Sequence, residues 1–117
     1  MTELREHWLP TQDEFDRFAR VSGDDNPIHV DPAFSARTAF GRTVSHGMLI
    51  YTKLWGMIRR AHPGAVQTRQ QMMFPNPTYA GDEVVLKITG ELPGHVTMVA
   101  FREADGAELF LGEAEVA

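Results

Sequence analysis

The segment that decides the fold runs from Ser45 to Arg60 and reads SHGMLIYTKLWGMIRR. Apolar residues cover almost the whole circumference of the helix that this segment would form, and a helix that is apolar all round is usually a buried one. The two arginines at its end suit the negative end of a helix dipole, and Pro63-Gly64 follow as a stop signal. We therefore predict one long helix over Gly47 to Ile58, buried on all sides.

The rest of the chain after this helix has the pattern of an antiparallel sheet. Turn signals at Pro75-Asn76-Pro77, Pro93-Gly94 and Asp105-Gly106 separate the candidate strands. These strands are Val66–Phe74, Glu83–Glu91, Val96–Glu103 and Glu108–Val116. A short strand at Leu4–Leu9 is expected at the sheet edge. One long buried helix and a curved antiparallel sheet predict an α+β fold in which the sheet wraps around the helix.

The chain before the long helix has the pattern of short helices and loops. Thr11 and Glu14 have the spacing of a capping box and predict a helix that ends near Val21–Gly23. Proline disfavours the α conformation for the residue before it, so the segment Asp24–His29 is expected to be extended or turning. Asp31-Pro32 is typical of an N-cap followed by the first helical position, which predicts a short helix through Ala39.

Length and composition limit the class of protein. The chain has 117 residues, no cysteine and a formal charge of −5. This length suits one domain, residues 1–117, and the acidic balance argues against a nucleic-acid partner. The N-terminus lacks the apolar run of a signal peptide, and no stretch approaches the roughly 18 to 20 apolar residues that cross a bilayer. We expect a cytoplasmic protein that does not enter a membrane.

Five polar residues fall within eight positions between two predicted helices: Asp24, Asp25, Asn26, His29 and Asp31. A carboxylate and an imidazole on such a loop could share a water molecule and divide acid and base roles. Alternatively, these residues could only cap helices and form turns. A third interpretation is a zinc or iron site built from Asp24, His29, Asp31 and His46, although no short His-x-x-x-His spacing supports it. The spacing alone leaves all three open.

The start of the long helix is a second candidate site. The first N–H groups of a helix lack internal partners and lie at its electropositive end, and a glycine such as Gly47 lets a ligand approach the backbone closely. Such donors could stabilise an enolate-like oxygen. The alternative is that Ser45 only caps the helix and Gly47 permits tight contacts. We expect His46 to be a packed, hydrogen-bonded histidine.

Three segments together resemble the MaoC-like, (R)-specific enoyl-CoA hydratase family. Residues 18–31, FARVSGDDNPIHVD, resemble its signature, which reads roughly Gly-Asp-x-Asn-Pro-x-His-x-Asp. Residues 39–41 and 44–49 resemble the block before the family's central helix. Residues 74–77, followed by Gly81-Asp82-Glu83, resemble the segment that leads into the next strand. The resemblance covers nearly the whole chain at compatible spacing.

This resemblance implies a hot-dog fold, a homodimer and an active site beside the dimer interface. It places Asp24, rather than Asp25, and His29 as the catalytic pair, and the Gly47 amide as the donor to the thioester oxygen. Asn26 and Ser45 are expected as further substrate-binding residues, with neither metal nor cofactor.

The implied reaction is hydration of a trans-2-enoyl thioester, carried on CoA or an acyl-carrier protein, to an (R)-3-hydroxyacyl thioester. The alternatives are a hot-dog thioesterase and a non-catalytic acyl-binding subunit. Trp55 departs from the smaller residue common at its position. It would either shorten the acyl tunnel or pack against the sheet.

Overall fold

The computed structural model describes all 117 residues. The elements in chain order are β1 (Thr2–Trp8), α1 (Gln12–Ser22), α2 (Pro27–Val30), α3 (Pro32–Ser35), α4 (Gly47–Ala61), β2 (Gln67–Met73), β3 (Val84–Gly90), β4 (Gly94–Arg102) and β5 (Glu108–Val116). All five predicted strands are present, with ends that differ by at most two residues from the predicted ones. No helix combines the length and apolar character needed to cross a membrane.

The five strands form one antiparallel sheet in the order β1-β3-β4-β5-β2. β1 pairs with β3 along its whole length, so the predicted N-terminal edge strand is confirmed. β2, the first strand after α4, pairs only with β5 and forms the opposite edge. The strand that follows the central helix therefore has one side without a partner in this chain.

The core lies between α4 and the sheet. The buried side chains of α4 are Leu49, Ile50, Leu54, Met57 and Ile58, and they join the buried side chains of β3, β4 and β5 in one cluster. The predicted α+β arrangement, with the sheet wrapped around one long helix, is confirmed.

The prediction that α4 is buried on all sides is wrong for a single chain. Met48 is 49% exposed, Thr52 and Arg59 are exposed, and Trp55 is only partly buried. These four residues recur every three or four positions, so they share one side of the helix. The core packs against the other sides, and on the open side Met48 is left largely uncovered within this chain.

The predicted capping box opens α1. The Thr11 hydroxyl accepts a hydrogen bond from the Glu14 N–H at 3.2 Å, and Gly23 ends the helix in the left-handed conformation with φ 81°. Phe15 and Ala19 are buried on the inner side of this helix. α1 is therefore fixed at both ends, and its C-terminal glycine directs the chain into the polar segment that begins at Asp24.

The prediction that Asp24–His29 is only extended or turning is wrong in its second half. Pro27–Val30 forms a single helical turn, and the Asn26 side chain caps it by accepting from the Ile28 N–H at 3.1 Å. Proline disfavours helix for the residue before it but suits the first helical position itself.

The helix predicted through Ala39 starts at Pro32 but ends at Ser35. The Thr38 hydroxyl donates to the Ser35 carbonyl at 2.7 Å, and residues 36–40 form turns. A local side-chain bond of this kind competes with continued helix.

Candidate active site

The short helix α2 places His29 inside the protein. The residue is 8% exposed, and its Nδ1 lies 2.8 Å from the Val44 carbonyl oxygen. A carbonyl oxygen only accepts hydrogen bonds, so this contact puts a hydrogen on Nδ1 and leaves Nε2 as the free atom of the ring. The Gln12 side chain also donates to the His29 carbonyl at 2.8 Å. The imidazole is therefore held in one orientation by groups from outside its own helix.

Asp24 lies opposite the free side of this imidazole. Its Oδ2 is 3.7 Å from His29 Nε2, and its side chain is 56% exposed, against 10% for that of His29. This separation is too long for a direct hydrogen bond and suits two groups that both contact one small molecule between them. Asp25 does not line the cavity that opens beside this pair. The structure thus pairs the first of the two neighbouring aspartates with His29.

A cavity of about 360 Å³ opens beside this pair. Its polar part contains Asp24, His29, Ser45 and Gly47. The apolar residues that line it include Phe40, Met48, Ile50, Phe74 and Leu109. A cavity with an apolar wall and a few convergent polar groups is typical of a small-molecule site.

Residues at the start of α4 line the cavity. His46 is the N-cap residue but makes no side-chain cap, so the alternative in which Ser45 caps the helix is wrong. The Ser45 hydroxyl instead donates to the His46 carbonyl at 3.0 Å, and its N–H donates to Thr78. The Gly47 N–H has no hydrogen-bond partner within the chain. It is therefore free to donate to a ligand at the positive end of the helix.

Gly47 also allows an aromatic ring to approach the helix. A Cβ at this position would lie 2.6 Å from Cζ of Phe74, which real side chains essentially never do. Phe74 in turn contacts Phe110 edge to face, with ring centroids 5.5 Å apart. Any larger residue at position 47 would push the Phe74 ring away from the start of α4. Gly47 thus provides both the free N–H and the space around it.

His46 is buried at 2% exposure, and its Nε2 lies 2.8 Å from the Asp24 carbonyl oxygen. Its ring is stacked on that of His29, with centroids 3.8 Å apart and planes inclined by 22°. Burial lowers the pKa of His46 below its usual value; the hydrogen bond to Asp24 opposes this shift, and the nearby His29 ring adds to it. His46 is therefore packed and hydrogen-bonded, as expected, and it also contacts both predicted catalytic residues.

The structure does not bring Asn26 or Asp31 into the cavity. Asn26 caps α2, and Asp31 caps α3 by accepting from the Phe34 N–H at 3.1 Å. Asn26 thus has a structural role that fixes the helical turn carrying His29, and its substrate contact stays a prediction. For these two residues, the interpretation as local caps describes what the side chains do.

The metal-site alternative does not fit this arrangement. Candidate ligand atoms of Asp24, His29 and His46 lie within 4.8 Å of one another, and Asp31 is not part of the group. However, an imidazole binds a metal through a lone pair that lies in the ring plane. The two rings are stacked with centroids 3.8 Å apart and planes inclined by only 22°, so their lone pairs lie in two different, nearly parallel planes. They do not converge on one zinc or iron ion.

One wall residue of the cavity has no signal in the sequence. In the pairing of β4 with β5, Ala100 lies opposite Phe110 and Phe101 opposite Glu108, so Leu109 is the extra residue of a bulge. Both Leu109 and Phe110 are fully buried as a result, and Leu109 reaches the cavity. Bulges commonly redirect a side chain towards a site. Trp55, in contrast, does not line the cavity and packs against the core.

Comparisons with known proteins agree with this geometry. A sequence model of the MaoC-like domain matches residues 2–102. An (R)-specific enoyl-CoA hydratase from Aeromonas caviae is 41% identical over 73 residues, which cover 61% of this chain and 54% of that protein. A mitochondrial 3-hydroxyacyl-(acyl-carrier-protein) dehydratase from Arabidopsis thaliana is 34% identical over 100 residues, covering 86% and 55%. The matched region thus spans about half the length of these two curated relatives.

Solved structures show the same fold. The (R)-hydratase of Aeromonas caviae superposes with a TM-score of 0.88 and 32% identity, covering 98% of this chain and 92% of that one. An R-hydratase from Pseudomonas aeruginosa superposes with a TM-score of 0.87 and 29% identity, covering 98% and 78%. The chain belongs to the MaoC-like domain family and has the hot-dog fold of its R-hydratases, so the resemblance seen in the sequence is confirmed.

Proposed function

We propose that this chain is a hydratase that adds water to a trans-2-enoyl thioester and forms an (R)-3-hydroxyacyl thioester. The observation that carries the proposal is the 3.7 Å separation of Asp24 Oδ2 and His29 Nε2. This pair lies in a cavity that also contains the unpaired N–H of Gly47. A base, an acid and an oxyanion donor are the three groups that hydration of an enoyl thioester requires.

These three groups account for every proton that moves in the proposed reaction. A water molecule between the two side chains gives a proton to the Asp24 carboxylate as its oxygen bonds to the β-carbon. The π electrons of the double bond move to the thioester carbonyl, whose oxygen accepts from the Gly47 N–H. In this step His29 starts as the imidazolium, with hydrogen on both ring nitrogens, so the α-carbon then takes a proton from Nε2 and the carbonyl is restored. A proton passes back from Asp24 to His29 before the next turnover, so the proposed reaction needs no metal or cofactor.

The cavity wall supports an acyl chain as the ligand. Much of the lining is apolar, and a volume of about 360 Å³ lies at the small end of ligand pockets. Relatives are named as acting on CoA thioesters and on acyl-carrier-protein thioesters. We propose a thioester of one of these carriers as the substrate. Both are made and used inside cells, which is the basis for proposing a cytoplasmic location.

We further propose a homodimer that forms through the open edge of β2. The other edge strand, β1, carries the charged residues Glu3, Arg5 and Glu6, which oppose pairing between edges, whereas β2 carries only Arg69. Met73 and Phe74, at the end of β2, are 58% and 45% exposed. The segment that follows β2 lines the cavity, so a partner at this edge would lie next to the site.

The test is an assay of the purified chain with crotonyl-CoA. Hydration is monitored as a decrease in the enoyl absorbance. Chiral chromatography then identifies the product, and we expect the (R)-3-hydroxyacyl thioester. A thiol reagent added in parallel detects released CoA without interference, because the chain has no cysteine. Release of CoA from the substrate would favour the thioesterase alternative. An inactive protein that still binds the thioester would favour the acyl-binding subunit.

A further inference from the structure

We propose that His46 is a positioning residue that joins the three parts of the site, and this proposal rests on the proposed hydratase function. Its imidazole contacts the backbone of Asp24 and the ring of His29, and its own backbone leads directly into Gly47. The base, the acid and the oxyanion donor come from three separate segments of the chain. His46 is the residue that contacts all three.

The hydrogen-bond partner of His46 fixes its tautomer. The Asp24 carbonyl oxygen only accepts, so the His46 Nε2 at 2.8 Å must carry the hydrogen. Nδ1 is buried and has no partner, as expected of the bare nitrogen of a neutral imidazole. Asp24 is exposed and its carboxylate belongs to a loop, so this bond is a direct link between its backbone and the start of α4.

The stacking contact requires that His46 remain uncharged. Two charged rings with centroids 3.8 Å apart would repel each other, and His29 must carry a second hydrogen to act as the acid. The other groups around His46 do not offset such a charge, because α1 places the uncharged ring of Phe18 beside it, with centroids 4.9 Å apart, and Asp24 is the one acidic group that acts on it. Burial of His46 lowers its pKa and so favours the neutral form.

Two substitutions separate the two contacts of His46. His46→Phe keeps a flat ring against His29 but loses the N–H to Asp24, whereas His46→Gln keeps an N–H at about the place of Nε2 and loses the ring. Because small errors in the placement of a catalytic group can cost about 10²-fold in rate, we expect His46→Phe to lower kcat by roughly 10- to 100-fold. Since substrate binding is retained, KM should change less than about threefold.

His46→Gln should recover most of the lost kcat, to within roughly fivefold of the wild-type value. His7→Gln, on the surface of β1, is the control and should leave both constants unchanged. A role in stability alone would instead lower the melting temperature of both variants without a difference in kcat between them. Wild-type kcat in a folded His46→Phe variant would overturn the proposal.

A measurement on the wild-type protein tests the proposal without any variant and without activity. Nitrogen-15 NMR of the imidazole rings identifies which nitrogen carries hydrogen. We expect neutral His46 with hydrogen on Nε2 at pH 7. Hydrogen on Nδ1 instead, or a charged ring at that pH, would contradict the proposal even if hydration is observed. If the tautomer is found and the chain does not hydrate enoyl thioesters, the proposed function fails while the positioning contact stands.

Discussion

The imidazole of His29 lies against that of His46, with ring centroids 3.8 Å apart and planes inclined by 22°. Each ring donates through one nitrogen to a backbone carbonyl, His29 to Val44 and His46 to Asp24. The pair therefore joins α2, the loop after α1 and the segment before α4. A positive charge on either ring would repel one on the other, so the stability of the protein should depend on pH below neutrality.

Stability should fall on acidification, partly because of His46. Its pKa is lowered in the folded protein, so below about pH 6.5 the unfolded chain binds a proton that the folded chain resists. Above that pH the residue is neutral in both states and contributes nothing to the pH dependence. His46→Gln should therefore lose less unfolding free energy than the wild type between pH 7 and pH 5. Urea unfolding at both pH values measures this difference, and equal losses in the two proteins would contradict the expectation.

A methyl group at Gly47 should impair activity more than stability. Gly47→Ala would place Cβ against the Phe74 ring and force that ring to move, so we expect kcat/KM to fall about tenfold or more. The matched control is Gly56→Ala in the same helix, where the nearest atom is Nη1 of Arg60 at 3.3 Å. That variant should keep its activity and gain up to about 1 kcal/mol of stability from helix propensity. Steady-state kinetics and thermal melts measure the activity and stability of both variants. Equal activities would contradict the role proposed for Gly47.

The contact between α4 and the sheet should dominate stability. Leu54 is fully buried in the centre of the cluster, and Leu54→Ala should lower the unfolding free energy by about 2 to 5 kcal/mol. Leu9→Ala, at a residue that is 48% exposed, should cost much less. Denaturant titration of both variants measures the difference. Similar losses would mean that the core does not lie where the structure puts it.

The open edge of β2 should carry the dimer contact. Met73→Lys places a charge on this edge and should shift the protein towards monomer, since an unpaired buried charge is costly at an interface. Val21→Lys, at an 86% exposed position on α1, should leave the dimer intact. Sedimentation equilibrium gives the mass of each. A dimer that persists in Met73→Lys, or a monomeric wild type, would count against the proposed interface.

Much of the fold follows from periodicity and local signals. The turn signals located the four strands after α4, and the spacing of Thr11 and Glu14 located the start of α1. The exposure of Met48 could not be predicted in this way, because an all-round apolar pattern does not show which side of the helix the sheet leaves open. The helical turn that carries His29 was not predicted. Proline restricts the backbone of the residue before it, here Asn26, but the residues after Pro27 were also assumed to be non-helical.

The site was predictable in part. Asp24, His29 and Gly47 could be selected by resemblance to a family signature, and the structure brings all three to one cavity. The stacking of His46 on His29 depends on contacts between segments 17 positions apart, which no local pattern encodes. Leu109 reaches the cavity only because of a bulge in β5, and its sequence is that of an ordinary strand. The sequence alone therefore could not predict contacts between distant segments or irregular pairing between strands.

Asp24, together with His29, is proposed to act on the water that is added. The most direct measurement is the rate of crotonyl-CoA hydration by Asp24→Asn, beside Asp25→Asn as the matched control one residue away. We predict a loss of about 10²- to 10⁴-fold in kcat for Asp24→Asn and nearly wild-type rates for Asp25→Asn, with both proteins folded. Full turnover in Asp24→Asn, or an equal loss in both variants, would contradict the account.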